Sequence, residues 1–365
     1  MMWLCGIIVN DINLELIAIG NKRGDIKNNM IESKFKKYLS SNDLNLLDTF
    51  QSERGLNQKT MYGYYSAMGL YVKYCNMHLQ ELLNEADNEE EAGVQWKKSK
   101  LKQKLLGFRS YLLENYLYGT VKVHFGRIKT FYNHFEIDMG YIPKINTKSV
   151  RKNEPIRFDD LLTKEELQAI IMEADPLIKA VVLFGASSGC ARQEILNITL
   201  EDFIEATKDY HNGGTIQEVL VTLLARDDVV PTFKIRRQKT NKYYYTFCSP
   251  EAVRSICNYL IISQRKFKGY NEHKLFKTNR DQLNYGFKQL NDKLNLGEVN
   301  GYRRLRSHML RKFNASYLYD DGMSMEDIDA IQGRSKDATH NAYFKDNPIK
   351  LKEKYIQHLS AVTIV

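Results

Sequence analysis

Apolar and aromatic positions recur at helical spacing in three stretches between residues 57 and 137. The stretch "NQKTMYGYYSAMGLYVKYCNMHLQELL", residues 57 to 83, puts them on one face with Asn57 or Thr60 as a cap, which predicts one helix with a buried side. The acidic run Glu81, Glu85, Asp87, Glu89, Glu90 and Glu91 predicts a solvated loop, and Lys97, Lys98, Lys100, Lys102 and Lys104 follow it directly. Two further helical periods, "KLKQKLLGFRSYLLENYL" and "TVKVHFGRIKTFYNHFEI", come next, the second carrying Lys122, Arg127 and Lys129. The period stops at "GYIPKINTKSVRKNEPIRFD", residues 140 to 159, where prolines and Lys or Arg residues mark a basic linker.

Beyond the linker, "TKEE" makes Thr163 and Glu166 a capping box for a helix through Ala174. "PLIKAVVLFGASSG" is apolar almost all round and predicts a central helix. "EVLVTLLA", "TFKIRRQK" and "KYYYTF" have strand composition, and the turn-prone "KTNK" joins the last two into a β-hairpin with lysine at its tip. Ser249 and Pro250 supply the N-cap and first position of another helix, and from Asp281 the pattern is helical to the end. The predicted class is mainly α with a small antiparallel β-hairpin (α+β). It divides into a leader over 1–40, a helical domain over 41–142, a linker over 143–158 and a second domain with a C-terminal tail over 159–365.

A length of 365 residues suits two domains at roughly 100–200 residues each. The net charge of +9 makes a polyanion the natural partner. Cys5, Cys75, Cys190, Cys248 and Cys257 lack any CxxC spacing, which argues against a disulfide framework or a zinc site and for an intracellular protein. Asp11 and Glu15 interrupt the apolar start well short of the roughly 18 residues a membrane span needs, and no basic signal-peptide leader precedes it. It reads as a loosely ordered leader, with Met30 as an alternative start.

Four places in the second domain carry candidate chemistry: Arg192 after "SSGCA", Lys239 in the hairpin, His308 and Arg311 in "HMLR", and Arg334 and Tyr343 in "GRSKDATHNAY". Each alone is a common surface or structural residue; their order and spacing say more. His308 and Arg311, at i and i+3, share one helix face, on a helix that Phe313, Ala315 and Leu318 can anchor. "SMEDIDAIQ" predicts a helix capped by Ser324, fitted with Asp327 and stopped at Gly333, so Arg334 leaves its end at a defined point.

In this order and spacing "HMLRKFNASYLYDDGMSMEDIDAIQGRSKDATHNAYF" resembles the tyrosine recombinases, the family of phage-type integrases and Xer-like resolvases. There an H-x-x-R pair precedes a G-H or G-W pair, and the nucleophilic tyrosine comes nine residues after the latter. The resemblance covers about residues 160 to 360, "IQGRSKDATHNAYF" further resembles archaeal integrases, and the N-terminal helices are similar in kind to the family's core-binding domain. It implies site-specific DNA recombination, integrating or excising a mobile element such as an archaeal virus or plasmid. Cleavage and rejoining would pass through a 3′-phosphotyrosyl intermediate on Tyr343, with no metal and no cofactor. Arg192, Arg311 and Arg334 would hold the phosphate, His308 would accept the tyrosine proton, Lys239 would protonate the leaving 5′-oxygen, and Glu194 would orient a basic neighbour.

The implied partners are double-stranded DNA with specific attachment sites and further copies of the chain, dimer to tetramer, in the cytoplasm at the nucleoid and away from membranes. The two domains would form a C-shaped clamp, with Lys97, Lys98, Lys122, Arg127, Lys129, Lys148, Arg151 and Lys152 on phosphates. Two positions depart from the family pattern. Arg334 stands where the family has His or Trp; it donates to a phosphate but accepts no proton, which leaves that task to His308. The T-G-x-R-x-x-E pattern, aligned on Glu194, puts Ala191 in the arginine slot. The expectation is a shifted helix start that brings Arg192 to the phosphate; otherwise the clamp is incomplete and Arg334 substitutes. A type IB topoisomerase-like relaxing enzyme and a DNA-binding regulator with decayed catalysis stay open as alternatives, and the apolar tail docks on its own domain or on a neighbouring copy.

Overall fold

Side-chain caps set the starts of the N-terminal helices. The computed structural model describes residues 36–237, 241–263, 274–334 and 347–365, which divide into two units at Glu154 and Pro155. In the first, Ser40 and Asp43 form a capping box for α1 (Ser41–Glu53). The same Asp43 carboxylate, 1% exposed, accepts from the Leu79 N–H at 2.7 Å and pairs with His78 at 2.9 Å, tying α1 to the start of a later helix. Burial would raise the Asp43 pKa, but these bonds and those from Ser40 outweigh it and hold the carboxyl below its ordinary value.

Asn57 caps α2 (Gln58–Cys75) through the Thr60 N–H, at 2.9 Å. The single helix expected over residues 57 to 83 is in fact two. Asn76 takes φ 51°, a left-handed conformation that asparagine tolerates, and ends α2. A new helix, α3 (Leu79–Glu91), then starts with Glu81 accepting from the His78 N–H. The acidic run expected to be a loop lies within α3: Leu79, Leu82, Leu83 and Ala86 are buried at i, i+3, i+4 and i+7, and the carboxylates share the remaining positions with Gln80, Asn84 and Asn88. One of them, Glu89, accepts from Ser99 and Lys100 at the start of α4 (Lys100–Asn115). With α5 (Tyr118–His134) these helices enclose a core of Phe50, Met68, Tyr71, Phe108, Phe131 and Tyr132, in which the Tyr71 and Tyr132 hydroxyls bond at 3.1 Å.

The second unit opens with the expected Thr163–Glu166 capping box on α6 (Lys164–Glu173). Asp175 and Pro176 then start α7 (Pro176–Ser188), whose residues from Ala180 to Ser188 are all buried. Short helices α8 (Arg192–Asn197) and α9 (Leu200–Ala206) follow. "EVLVTLLA", expected as a strand, lies in helix α10 (Ile216–Leu224). Thr215 and Glu218 form its capping box, and Ile216, Val219, Leu220 and Leu223 bury one face; β-branched composition yields to that cap and that spacing.

Strands β1 (Thr232–Arg237) and β2 (Lys242–Phe247) pair antiparallel, from Thr232 opposite Phe247 to Arg237 opposite Lys242. Ser249 and Pro250 begin α11 (Pro250–Ile262) as expected. After α12 (Arg280–Lys293) comes a two-residue hairpin, β3 (Glu298–Val299) with β4 (Tyr302–Arg303), that the helical reading of this region missed. Then come α13 (Ser307–Asp320), α14 (Met325–Ile331), α15 (Pro348–Gln357) and α16 (Leu359–Val362). The tail packs on its own unit: Val362 and Ile364 are buried, and the Ile364 and Val365 N–H groups both donate to Glu251 at 2.8 Å.

Candidate active site

α7 ends at Gly189 with φ 63°, and the site is built around that turn. A Cβ there would fall 2.3 Å from Asn314 Oδ1 and 2.6 Å from Gln332 Nε2, so only glycine lets the helix end meet α13 and the residue after α14. Asn314 Nδ2 donates to the Ser187 carbonyl at 2.7 Å, and Gln332 Nε2 donates to Asn314 Oδ1 at 2.7 Å and to the Arg311 carbonyl at 3.1 Å. Gly189→Ala is therefore expected to cost about 2–5 kcal/mol, from the left-handed backbone and the overlap together. Denaturant unfolding checks this, and a loss below about 1 kcal/mol would show that Asn314 and Gln332 move aside.

This network holds Arg311, which is 8% exposed. Its Nη1 donates to the Gly189 carbonyl and its Nη2 to the Gln332 carbonyl, both at 2.6 Å. Burial lowers the Arg311 pKa and Glu194, 3.9 Å away, opposes it; the guanidinium stays a cation. Glu194 is 4% exposed, and its Oε2 accepts from the Ala191 N–H at 2.6 Å and from the Tyr244 hydroxyl at 2.9 Å. Burial, then the nearby Cys190 and Glu194, push the Tyr244 phenol well above its ordinary value. Burial likewise pushes the Cys190 thiol up to about 12.

His308 lies exposed near the start of α13. Desolvation by its surroundings, followed by the cations Lys312, Arg306, Arg311 and Arg334, lowers its pKa below 6.5, so the ring is neutral at pH 7. Arg334 follows Gly333 (φ 58°), where a Cβ would lie 2.5 Å from the Tyr244 ring. Its Nη1 donates to Asp329 Oδ1 at 3.0 Å. The structure thus brings together Arg311, His308, Arg334 and Glu194 from elements far apart in sequence.

Arg192 is not brought to them. Ala191 is the N-cap of α8 and Arg192 its first helical residue, so the helix start is not shifted in the way expected. The Arg192 side chain instead donates to Asn284 Oδ1 on α12 at 3.2 Å, and burial and then Arg280 lower its pKa. One helical position, about 100° of rotation, separates it from the slot. Lys239 and Tyr343 lie outside the described residues.

Sequence reasoning overlooked Arg237 at the end of β1, which donates through Nη1 to the Gln332 carbonyl at 3.1 Å and to that of Gly333. A signal was present, since Arg237 stands in the strand-forming run "TFKIRRQK", two residues before the candidate Lys239. It also overlooked Arg306 and Lys312, the cations around His308. In the first unit Lys97, Lys98, Lys122, Lys129, Lys148, Arg151 and Lys152 are exposed. Arg127 is less free: its guanidinium lies where a Cβ on Gly63 would be and 5.8 Å from the Tyr64 ring centre.

No family model matches the sequence. A "Probable integrase/recombinase" of Acholeplasma phage L2 is 26% identical over 161 residues, 44% of this chain and 53% of the phage protein, so the chain spans about half the length of that curated relative. Among solved structures, the post-cleavage complex of XerH site-specific recombinase with a palindromic difH substrate is similar at a TM-score of 0.50 and 16% identity, over 93% of this chain and 94% of that one. The Tn1549 transposon integrase in complex with circular intermediate DNA gives a TM-score of 0.48 at 14% identity, over 87% and 99% of the two chains. The fold is that of a tyrosine-recombinase catalytic domain with a helical N-terminal unit. In fold and motif order, and through the phage relative, the chain is similar to the tyrosine recombinases.

Proposed function

We propose that the chain cleaves and rejoins DNA at specific sites through a 3′-phosphotyrosyl intermediate on Tyr343. The observation that carries this is Arg311: a buried guanidinium locked by two backbone carbonyls beside His308, at H-x-x-R spacing and ahead of Arg334 and Tyr343. Attack of the tyrosine oxygen on phosphorus forms one P–O bond and breaks the bond to the 5′-oxygen. Negative charge gathers on the non-bridging oxygens, where preorganised guanidinium donors lower the barrier. Arg311 has N–H groups left over from its two carbonyls, and Arg334 adds donors nearby. His308 takes the phenol proton and Lys239 supplies one to the leaving oxygen. The phosphotyrosine ester conserves the bond energy, so rejoining needs no outside energy source.

Double-stranded DNA with attachment sites is the substrate, and copies of the chain assemble on it as dimer to tetramer. Exposed lysines and arginines of the first unit bind phosphates without reading sequence, so affinity falls steeply with salt. The site of action is the cytoplasm, at the nucleoid; among the described residues no helix is long and apolar enough to cross a membrane.

The test is a nicked suicide duplex spanning the junction beside the chain's own gene, run on a denaturing gel. A covalent protein–DNA band supports cleavage. Duplex bound at low salt with no band from any junction supports the rival, a DNA-binding regulator, which Ala191 in the arginine slot favours. The pH profile tests His308 separately. A proton acceptor must be neutral, so cleavage kcat/KM should fall as pH drops through a pKa below 6.5 and stay level from there to neutrality. His308→Gln should slow cleavage by about 10²-fold or more and erase that acid limb. An unchanged limb in the variant assigns it to another group.

A further inference from the structure

α8 begins at Ala191, which has no cation to offer, and Arg192 is turned to Asn284. The pocket nevertheless contains a guanidinium besides those of Arg311 and Arg334. Arg237 reaches in from the end of β1, and its Nη1 donates to the same Gln332 carbonyl that takes Arg311 Nη2, and to the carbonyl of Gly333. Two like charges thus converge on one backbone oxygen.

Neutral carbonyls hold these cations without cancelling their charge. The buried Glu194 carboxylate faces Arg311 at 3.9 Å, and among the described residues no carboxylate is ion-paired with Arg237. Arg237 is part-buried, and among the described residues only its Nη1 is engaged, which leaves further N–H donors for a ligand. Neighbouring guanidiniums repel unless an anion lies between them, and a phosphate oxygen pair matches the planar fork of each.

We propose that Arg237 is the second phosphate-clamping residue of this site, supplying from the hairpin the guanidinium that Ala191 does not. The scissile phosphate then sits between Arg237 and Arg311. This rests on the strand-cleavage reading above, and it gives the last residue of β1 a direct part in holding the phosphate.

The test compares two nicked duplexes of the same junction, one with an ordinary phosphodiester at the cleaved position and one with a methylphosphonate. The methyl group removes the charge a guanidinium would neutralise. Arg237→Gln is expected to slow phosphodiester cleavage by roughly 10²–10³-fold and methylphosphonate cleavage by less than about tenfold. Arg237→Lys keeps the charge but loses the fork, and should fall between wild type and the glutamine variant on the phosphodiester. Arg192→Gln should stay within about threefold of wild type on both duplexes.

Because both duplexes are cut by the same preparation, partial misfolding cancels in their ratio. Equal losses on the two substrates would make Arg237 only a brace for Gln332 and Gly333 and overturn the proposal, as would unimpaired cleavage. A large Arg192→Gln loss confined to the phosphodiester would restore Arg192 to the clamp and overturn it too. Failure of the wild type to form an adduct on either duplex would overturn the strand-cleavage reading itself.

Discussion

Tyr343→Phe is expected to abolish the covalent DNA adduct completely while leaving duplex affinity within about twofold of wild type. The ring keeps its size, and only the oxygen that would form the phosphate ester is gone, so no weaker version of the reaction survives. The chain holds 23 tyrosines, and the choice among them has a physical basis. Tyr244 lies within the site, but it is buried, its hydroxyl is engaged by Glu194, and its phenol is pushed well above the ordinary value near 10. A nucleophile needs the opposite: a free oxygen and a cationic pocket that favours the phenolate. Tyr343 stands nine residues beyond Arg334, the spacing on which the resemblance to the tyrosine recombinases rests. Peptide mapping of the adduct provides the independent check, and a phosphorylated peptide carrying any other tyrosine would refute the assignment.

The caps and the buried helix were legible in the chain because they depend on neighbours in sequence. Thr163 with Glu166, Ser249 before Pro250 and Asn57 before Thr60 each act over three residues or fewer, and the structure shows all of them. Errors came where two local signals disagreed. In α3 a dense run of carboxylates masked the apolar positions Leu79, Leu82, Leu83 and Ala86, and in α10 β-branched residues masked a capping box.

The candidate site shows the same divide. His308, Arg311 and Arg334 follow from spacing along single helices and their ends. Whether Arg192 or Arg237 faces Arg311 does not, because it depends on how the start of α8 meets α12 and how β1 meets the turn after α14. A rotation of one helical position decides it. Such contacts join residues some 90 positions apart, beyond the reach of any local pattern.

Arg311→Ala should be the most damaging single change to the described site, because it removes three things at once. The Gly189 and Gln332 carbonyls lose their donors, the phosphate loses a clamp, and the buried Glu194 carboxylate loses its compensating cation. The last effect alone costs about 3–5 kcal/mol when one member of a buried pair is removed. Cleavage should fall by a further 10²–10³-fold, roughly, in whatever folded protein remains. The two losses separate in a double-mutant cycle. Adding Glu194→Gln to Arg311→Ala replaces the stranded charge with a neutral amide, so stability should recover by about 2 kcal/mol or more while cleavage stays lost. Unfolding curves and single-turnover cleavage of the four proteins measure both quantities. Strict additivity of the stability changes would mean that solvent already screens Glu194 and that Arg311 is held by its two carbonyls alone. Recovery of stability without recovery of cleavage would mean instead that the guanidinium has two separate duties, balancing a buried carboxylate in the free protein and gripping a phosphate once DNA is bound.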